Sequence, residues 1–206
     1  MDDLSTRTPA PHTANTLFLV LCGGQGVRMG GTDKPLLAWR GQPMVDQVLN
    51  SVPASMAKLI SANRNLECYR ERAGVLEDAP LLQRHDISTG PLVGILAGLE
   101  ALEGDSEQEW LLVSPGDTPC LPSNWWQTML NTADSSHSRA VVAFDGKRQQ
   151  HLHLLLHQGL REALLAYLEA GHIAVFQWLQ QIDAQRAIFD DPAAFRNINQ
   201  PADLEE

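Results

Sequence analysis

A chain of 206 residues with 44% hydrophobic content is long enough to bury a full core, and its length fits one large domain. Its formal net charge of −10 opposes nonspecific binding to nucleic acid or anionic lipid, and no apolar run approaches the length that spans a bilayer. Cys22, Cys68 and Cys120 are odd in number and contain no Cys-x-x-Cys pair, which excludes a disulfide framework or a zinc knuckle and reads as reduced thiols.

Residues 1–15 begin with Asp2 and Asp3 and continue as a polar, proline-containing stretch without periodicity. They are expected to form a flexible extension with neither a signal nor a transit peptide, which places the protein in the cytoplasm. The apolar run Leu17-Phe18-Leu19-Val20-Leu21 is a first strand, emptying into a glycine-rich loop. Pro43 to Ser51 suits a helix, Lys58 to Ser61 a second strand, Leu66 to Arg72 a short helix, and Val75-Leu76 a strand ending at Glu77-Asp78. Gly90-Pro91 opens a helix through Leu102, since proline is well placed in a first turn, and Trp110 to Ser114 is a buried strand. Pro122 is expected to start another helix. Ala140 to Phe144 and His151 to His157 are strand candidates, and Leu160 to Leu168 is an amphipathic helix. This alternation with continuous apolar strands predicts one α/β domain over residues 16–206, a three-layer α/β/α sandwich with a mostly parallel sheet. Ligands in such sheets sit beyond the carboxyl ends of the strands.

The glycine loop carries the clearest chemistry. Gly23, Gly24, Gly26, Gly30 and Gly31 fall within nine residues. They free the backbone to turn N–H groups toward an anion, while Arg28 and Lys34 add mobile positive charge. A tight turn alone has no need of those cations. A Walker loop is excluded because Thr32 stands where its lysine must be and Pro35 follows Lys34. The dinucleotide fingerprint fits poorly, since Met29 occupies the place of its third glycine.

Asp117 follows the strand Trp110 to Ser114 through Pro115-Gly116, so its carboxylate is expected at the same sheet edge as the glycine loop. One carboxylate opposite a phosphate loop is sufficient for Mg²⁺, which keeps several waters and takes the substrate's phosphate oxygens. The competing reading is an aspartate that caps the helix near Pro122 or merely forms a turn. His151, His153 and His157 share one face of an ideal strand, which makes a metal site conceivable, although no acidic or cysteine partner is spaced with them. Trp125-Trp126 and Trp178 read as packing residues.

The loop pattern Leu-x-Gly-Gly-x-x-x-Arg-Met-Gly followed by Asp33-Lys34-Pro35-Leu36 resembles the signature of sugar-nucleotide and cofactor nucleotidyltransferases. The doubled Gly30-Gly31 is most similar to the molybdenum cofactor guanylyltransferases. Further segments resemble that family in the same order: Ser61-Ala62-Asn63-Arg64, Leu76-Glu77-Asp78, Gly90-Pro91-Leu92-Val93-Gly94, Pro115-Gly116-Asp117-Thr118-Pro119, and Asn197-Ile198-Asn199-Gln200-Pro201 before Asp203-Leu204. The resemblance covers about residues 16–206.

It implies a Rossmann-like nucleotidyltransferase fold and transfer of GMP from GTP to the terminal phosphate of molybdopterin, with Mg²⁺ as cofactor. Molybdenum-insertion proteins or molybdoenzyme chaperones are the implied protein partners. The implied nucleotide contacts fall on Leu21, Cys22, Gly23, Gly24 and Lys34, on Ser61, Asn63 and Asp78, and on Asp117. Leu21 contributes main chain. Asp117 is the implied Mg²⁺ ligand, with Lys34 and Arg28 stabilising the departing pyrophosphate. A carboxylate such as Asp78 can accept hydrogen bonds from both N1 and the exocyclic N2 of guanine, whereas cytosine offers one exocyclic donor. Asn197 and Asn199 either orient the acceptor or form a turn and helix cap before Pro201. Three positions depart from the family pattern: Ser61 replaces an asparagine, His151 a proline, and His172 an arginine. Two other functions remain open at this level: transfer of CMP to the same cofactor or of a nucleotide to a sugar phosphate on the same fold, and a carrier that binds GTP and molybdopterin without turnover.

Overall fold

The computed structural model describes residues 8–23, 33–103, 107–191 and 193–198, and all structural statements concern these. The chain runs β1 (Thr16–Leu21), β2 (Ala38–Trp39), β3 (Gln42–Pro43), α1 (Met44–Leu49), β4 (Ala57–Ser61), α2 (Leu66–Arg70), β5 (Gly74–Leu76) and α3 (Ala79–Arg84). It continues through α4 (Pro91–Glu103), β6 (Trp110–Pro115), α5 (Trp125–Ser136), β7 (Ala140–Phe144), β8 (Gln149–His157), α6 (Arg161–Glu169), α7 (Val175–Gln181) and β9 (Gln185–Ile188). Seven strands form one sheet in the order β5-β4-β1-β6-β8-β7-β9. β8 pairs antiparallel with both β6 and β7, while the remaining pairings are parallel, so the mostly parallel sheet expected from the sequence is present.

Period-two alternation in β1 divides the core into two layers. Phe18 and Val20 face Val45, Val48, Trp125 and Met129 of α1 and α5. Leu17 and Leu19 face Ile95, Leu99, Leu164 and Trp178 of α4, α6 and α7. Every residue of β1 and β6 is buried, as befits central strands covered on both faces. α4 approaches closely because two of its residues lack side chains. A Cβ on Gly98 would lie 2.7 Å from Leu19 Cδ2, and one on Gly94 would lie 2.5 Å from Ser61 Oγ.

Several expectations change. Pro122 precedes the helix instead of starting it: the Trp125 N–H bonds to the Pro122 carbonyl, and α5 begins at Trp125 with Asn124 at its cap. Asp117 therefore does not cap α5. Residues 8–15, expected as part of the extension, are anchored to the domain. Trp110 Nε1 donates to the Pro9 carbonyl at 3.1 Å, Gln108 Nε2 to the Ala14 carbonyl at 2.9 Å, and the Glu109 N–H to the Asn15 carbonyl at 3.0 Å. Residues 1–7 lie outside the described residues.

The shared face of His151 and His153 is not formed. Pairing of β7 with β8 jumps from Val142 opposite Leu154 to Ala143 opposite Gln150, a bulge that breaks the alternation over 151–153. The His153 ring packs 4.7 Å from Phe195 and 6.2 Å from Trp125, whereas His151 lies 6.1 Å from Phe176 of α7. Among the described residues no three His, Cys, Asp or Glu side chains converge to hold a metal ion, and no helix is long and apolar enough to cross a membrane.

Candidate functional site

The strand ends are tied together at one edge. Cys22 N–H bonds to the Ser61 carbonyl at 2.8 Å, Ala62 N–H to Leu76 at 3.0 Å, and Gly116 N–H to Leu21 at 2.9 Å. These bonds deliver Gly23, Asn63, Asp78 and Asp117 to a common cleft from positions far apart in the chain. β1 sits between β4 on one side and β6 on the other, and the connections run outward from it in both directions. Open sheets of this kind bind ligands at that switch point.

On the β4 side lies a cavity of about 500 Å³ lined by Leu21, Cys22, Gly23, Ser61, Asn63 and Asp78, with the start of α4 as its far wall. Asn63 and Asp78 form a reciprocal pair: Asn63 Nδ2 donates to Asp78 Oδ2 and the Asp78 N–H donates to Asn63 Oδ1, each at 2.8 Å. That leaves Asp78 Oδ1 buried without a partner among the described residues. Burial raises the Asp78 carboxyl above its ordinary range, and the Asn63 bond offsets only part of that. A buried carboxylate oxygen with no donor calls for a ligand that supplies one.

Beside this cavity a smaller space of about 290 Å³ contains Lys34 and Asp117 and is bounded by Gly23, Pro91, Pro115 and Asn197. Lys34 Nζ lies 2.5 Å from Asp117 Oδ2. The turn that positions Lys34 is fixed from below by Asp33, a buried carboxylate paired with Arg64 at 2.6 Å and reached by the Tyr69 hydroxyl at 3.5 Å. Burial pushes the Cys22 thiol well up, so it stays protonated; the Tyr69 bond works against that rise. Gly116 is required beside it, since a Cβ there would lie 2.7 Å from Cys22 Sγ. Asn197 accepts a bond from Thr118 Oγ1 at 2.8 Å, and the Ile198 N–H bonds to the Asp117 carbonyl at 3.1 Å. Asn197 and Ile198 are thereby strapped to the segment that carries Asp117.

A third space, of about 750 Å³, continues from the second past Pro115, Leu152 and Asn197. Its walls carry Lys147, Arg148, Gln150, His151 and Arg186 from the ends of β7, β8 and β9.

The structure thus gathers Leu21, Cys22, Gly23, Ser61, Asn63 and Asp78 around one cavity and Lys34, Asp117 and Asn197 around its neighbour. Gly24, Arg28 and Asn199 lie outside the described residues. Sequence reasoning did not single out the Asp33–Arg64 pair, Thr118 or Arg186. Arg64 stood within a quoted motif, but nothing in its spacing pointed to Asp33.

The arrangement is a cleft with a buried carboxylate, a lysine–aspartate pair and a cationic annex. Residues 18–185 match the family model described as MobA-like NTP transferase domain. The chain belongs to this family. Among MobA-like relatives, a molybdenum cofactor guanylyltransferase of Shewanella putrefaciens is 35% identical over 184 residues, covering 88% of this chain and 90% of the relative. Another, from Cupriavidus metallidurans, is 37% identical over 190 residues, covering 88% of each chain. The MobA-like fold is matched by the crystal structure of molybdopterin-guanine dinucleotide biosynthesis protein A from Archaeoglobus fulgidus. That match has a TM-score of 0.71 at 18% identity and covers 92% of this chain and 95% of that one.

Proposed function

We propose that this chain transfers GMP from GTP to the terminal phosphate of molybdopterin and releases pyrophosphate. The observation that supports this best is Asp78 Oδ1, a buried carboxylate oxygen without a donor, in a cavity adjoining the Lys34–Asp117 pair. Guanine presents two adjacent donors, N1–H and the exocyclic N2–H, and so supplies what the Asp78 carboxylate lacks. Cytosine and adenine present one exocyclic donor beside an acceptor nitrogen, which would face the carboxylate unfavourably.

An oxygen of the acceptor phosphate attacks the α-phosphorus of GTP; a new P–O bond forms as the α–β anhydride bond breaks, and pyrophosphate departs. The nucleophile is already an anion, so no general base is needed, and positioning with charge neutralisation supplies the acceleration. Gly23 brings bare backbone against the phosphates. Lys34 exchanges part of its contact with Asp117 for the β- and γ-phosphate oxygens and neutralises the leaving group. Asn197 borders both the reaction centre and the annex, where it orients the incoming phosphate.

The donor set suits Mg²⁺. A single carboxylate, about one-fifth exposed and open to a phosphate-sized space, matches an ion that takes few protein ligands and completes its shell with water and phosphate. Asp117 would hold it, and when bound it would spread the charge that develops on the reacting phosphates.

The test is pyrophosphate release from GTP, CTP and ATP in parallel, with Mg²⁺ and molybdopterin. Release specific to GTP and dependent on molybdopterin is expected. Equal release from CTP overturns the base assignment, and GTP binding without pyrophosphate release overturns the transferase reading in favour of a carrier.

A further inference from the structure

The cationic annex has a construction that the nucleotide chemistry does not use. None of the described residues lining it is an aspartate or glutamate, although the chain as a whole carries a net charge of −10. One wall is the turn between β7 and β8. Buried Asp145 anchors it: Oδ1 accepts the Lys147 and Arg148 N–H groups, both at 2.8 Å, and Oδ2 accepts Gln150 Nε2 at 2.6 Å. Gly146 supplies the positive φ of 90° that the turn requires. With its carboxylate engaged beneath the turn, Asp145 leaves the Lys147 and Arg148 side chains to line the space. Arg148 retains a loose contact of 3.8 Å to Asp145.

Arg186 of β9 lines the same space. The parallel register sets Val142 opposite Arg186 and Phe144 opposite Ile188, which puts the Phe144 ring diagonally across from Arg186 on the same face. The guanidinium carbon lies 5.3 Å from the centre of that ring. A cation–π contact of this kind leaves the guanidinium N–H groups able to donate to a ligand, and no ion pair of Arg186 occurs among the described residues. Phe176, exposed and 6.1 Å from His151, adds an aromatic face at the rim.

We propose that Arg186 is the acceptor-selecting residue of this enzyme: its stacked guanidinium binds the negative charge of a phosphorylated planar heterocycle entering the annex and makes no contact with the nucleotide. Lys147 and Arg148 line the same space, and the shared walls at Pro115, Leu152 and Asn197 carry the acceptor on to Lys34 and Asp117. This assignment rests on the transferase reading, because it takes the annex to be where the acceptor waits.

The test compares the wild type with Arg186→Gln and Arg186→Lys. Arg186 is exposed, so both variants should melt with the wild type. For Arg186→Gln the KM for molybdopterin should rise roughly 10- to 100-fold, the loss expected for a charged hydrogen bond. Both kcat and the KM for GTP should stay within about threefold of wild type, and Arg186→Lys, which keeps the charge but not the fork, should fall between. An unchanged molybdopterin KM, or a parallel rise in the GTP KM, overturns the assignment. Direct binding of molybdopterin without nucleotide, followed by pterin fluorescence, separates the two readings. If the wild type binds the acceptor and Arg186→Gln binds it at least tenfold more weakly, Arg186 holds its role even where no pyrophosphate is released. Equal binding by both proteins refutes that role whatever the turnover.

Discussion

Lys34 Nζ and Asp117 Oδ2 meet at 2.5 Å just beyond the end of β6, so the residue suited to neutralise phosphate and the residue suited to hold a cation neutralise each other. In the proposed reaction each would exchange part of that contact, Lys34 for phosphate oxygens and Asp117 for a divalent cation.

Asp117→Ala separates the two roles. The pair is only partly buried and is worth about 1 kcal/mol to the fold, so the melting temperature should fall by roughly 2–4 °C. Turnover should drop by roughly 10²–10³-fold or more, the scale seen when one electrostatic contact to a transition state is removed. Circular dichroism melts beside single-turnover rates at saturating Mg²⁺ check both, and retained activity would remove Asp117 from the mechanism.

Asp78→Asn should improve stability while it damages recognition. Burial raises this carboxyl in the folded protein. The folded state therefore holds the proton more tightly than the unfolded one, so the group's contribution is full below the unfolded value and is lost as pH rises through the folded value. At neutral pH the buried charge is a liability, and the amide should raise the midpoint of urea unfolding, with the gain vanishing in acid. The same change turns one acceptor into a donor facing guanine, and the KM for GTP should increase by roughly 10- to 100-fold. Urea titrations at pH 3 and pH 7, with KM values for GTP, test the two halves separately.

His153 supplies the opposite pH signature. Its ring is buried against Phe195 and Trp125 with Nε2 unpaired, and burial pulls its pKa down to about 3. The unfolded chain takes up this proton near pH 6.5 while the folded chain refuses it until about 3, so stability declines as pH falls through that window. One such group contributes a slope of at most about 1.4 kcal/mol per pH unit. His153→Leu should flatten the acid limb by that amount between pH 6 and 4. An unchanged slope would place the acid sensitivity elsewhere.

The large features of this protein are written locally, and the small decisive ones are not. β1 and β6 are legible because central strands must be apolar on both faces, and Asp117 is legible because it follows such a strand. β9 reads poorly: Gln185-Arg186-Ala187-Ile188 has one fully buried side chain and forms only because β7 offers an edge. The bulge over His151–His153 is equally hidden, since alternation in a single strand says nothing of the partner's register. The Asp33–Arg64 contact joins residues 31 apart that lie in different connections, and it exists only after β1 and β4 have paired.

Gly94→Ala tests how closely α4 must approach the base cavity. The added Cβ would lie 2.5 Å from Ser61 Oγ and 3.2 Å from Leu21 Cδ2, so either the serine or the helix must shift. A cost of roughly 1–3 kcal/mol is expected, with a higher KM for GTP because the helix forms the cavity wall. Ser61→Gly in the same chain removes the nearest clash and should recover part of both losses. No recovery would mean that Leu21, not Ser61, sets the spacing.

The Asp33–Arg64 pair should position Lys34 without touching substrate. Asp33 is 3% exposed while Arg64 is 44% exposed, so solvent screens one partner and the coupling is smaller than for a fully buried pair, about 1–2 kcal/mol. Arg64→Gln leaves a buried carboxylate with only the distant Tyr69 hydroxyl among the described residues, and it should destabilise the fold more than Asp33→Asn, which leaves the screened cation behind. The double variant removes both charges and should be more stable than Arg64→Gln alone, with the cycle reporting the coupling directly. Slack at Asp33 passes to Lys34 through the short turn in which the Leu36 N–H bonds to the Asp33 carbonyl at 2.9 Å. In Arg64→Gln, kcat should therefore fall roughly tenfold while the base preference among GTP, CTP and ATP stays as in the wild type. A changed base preference would instead make Arg64, which lines the base cavity, a contact to the nucleotide.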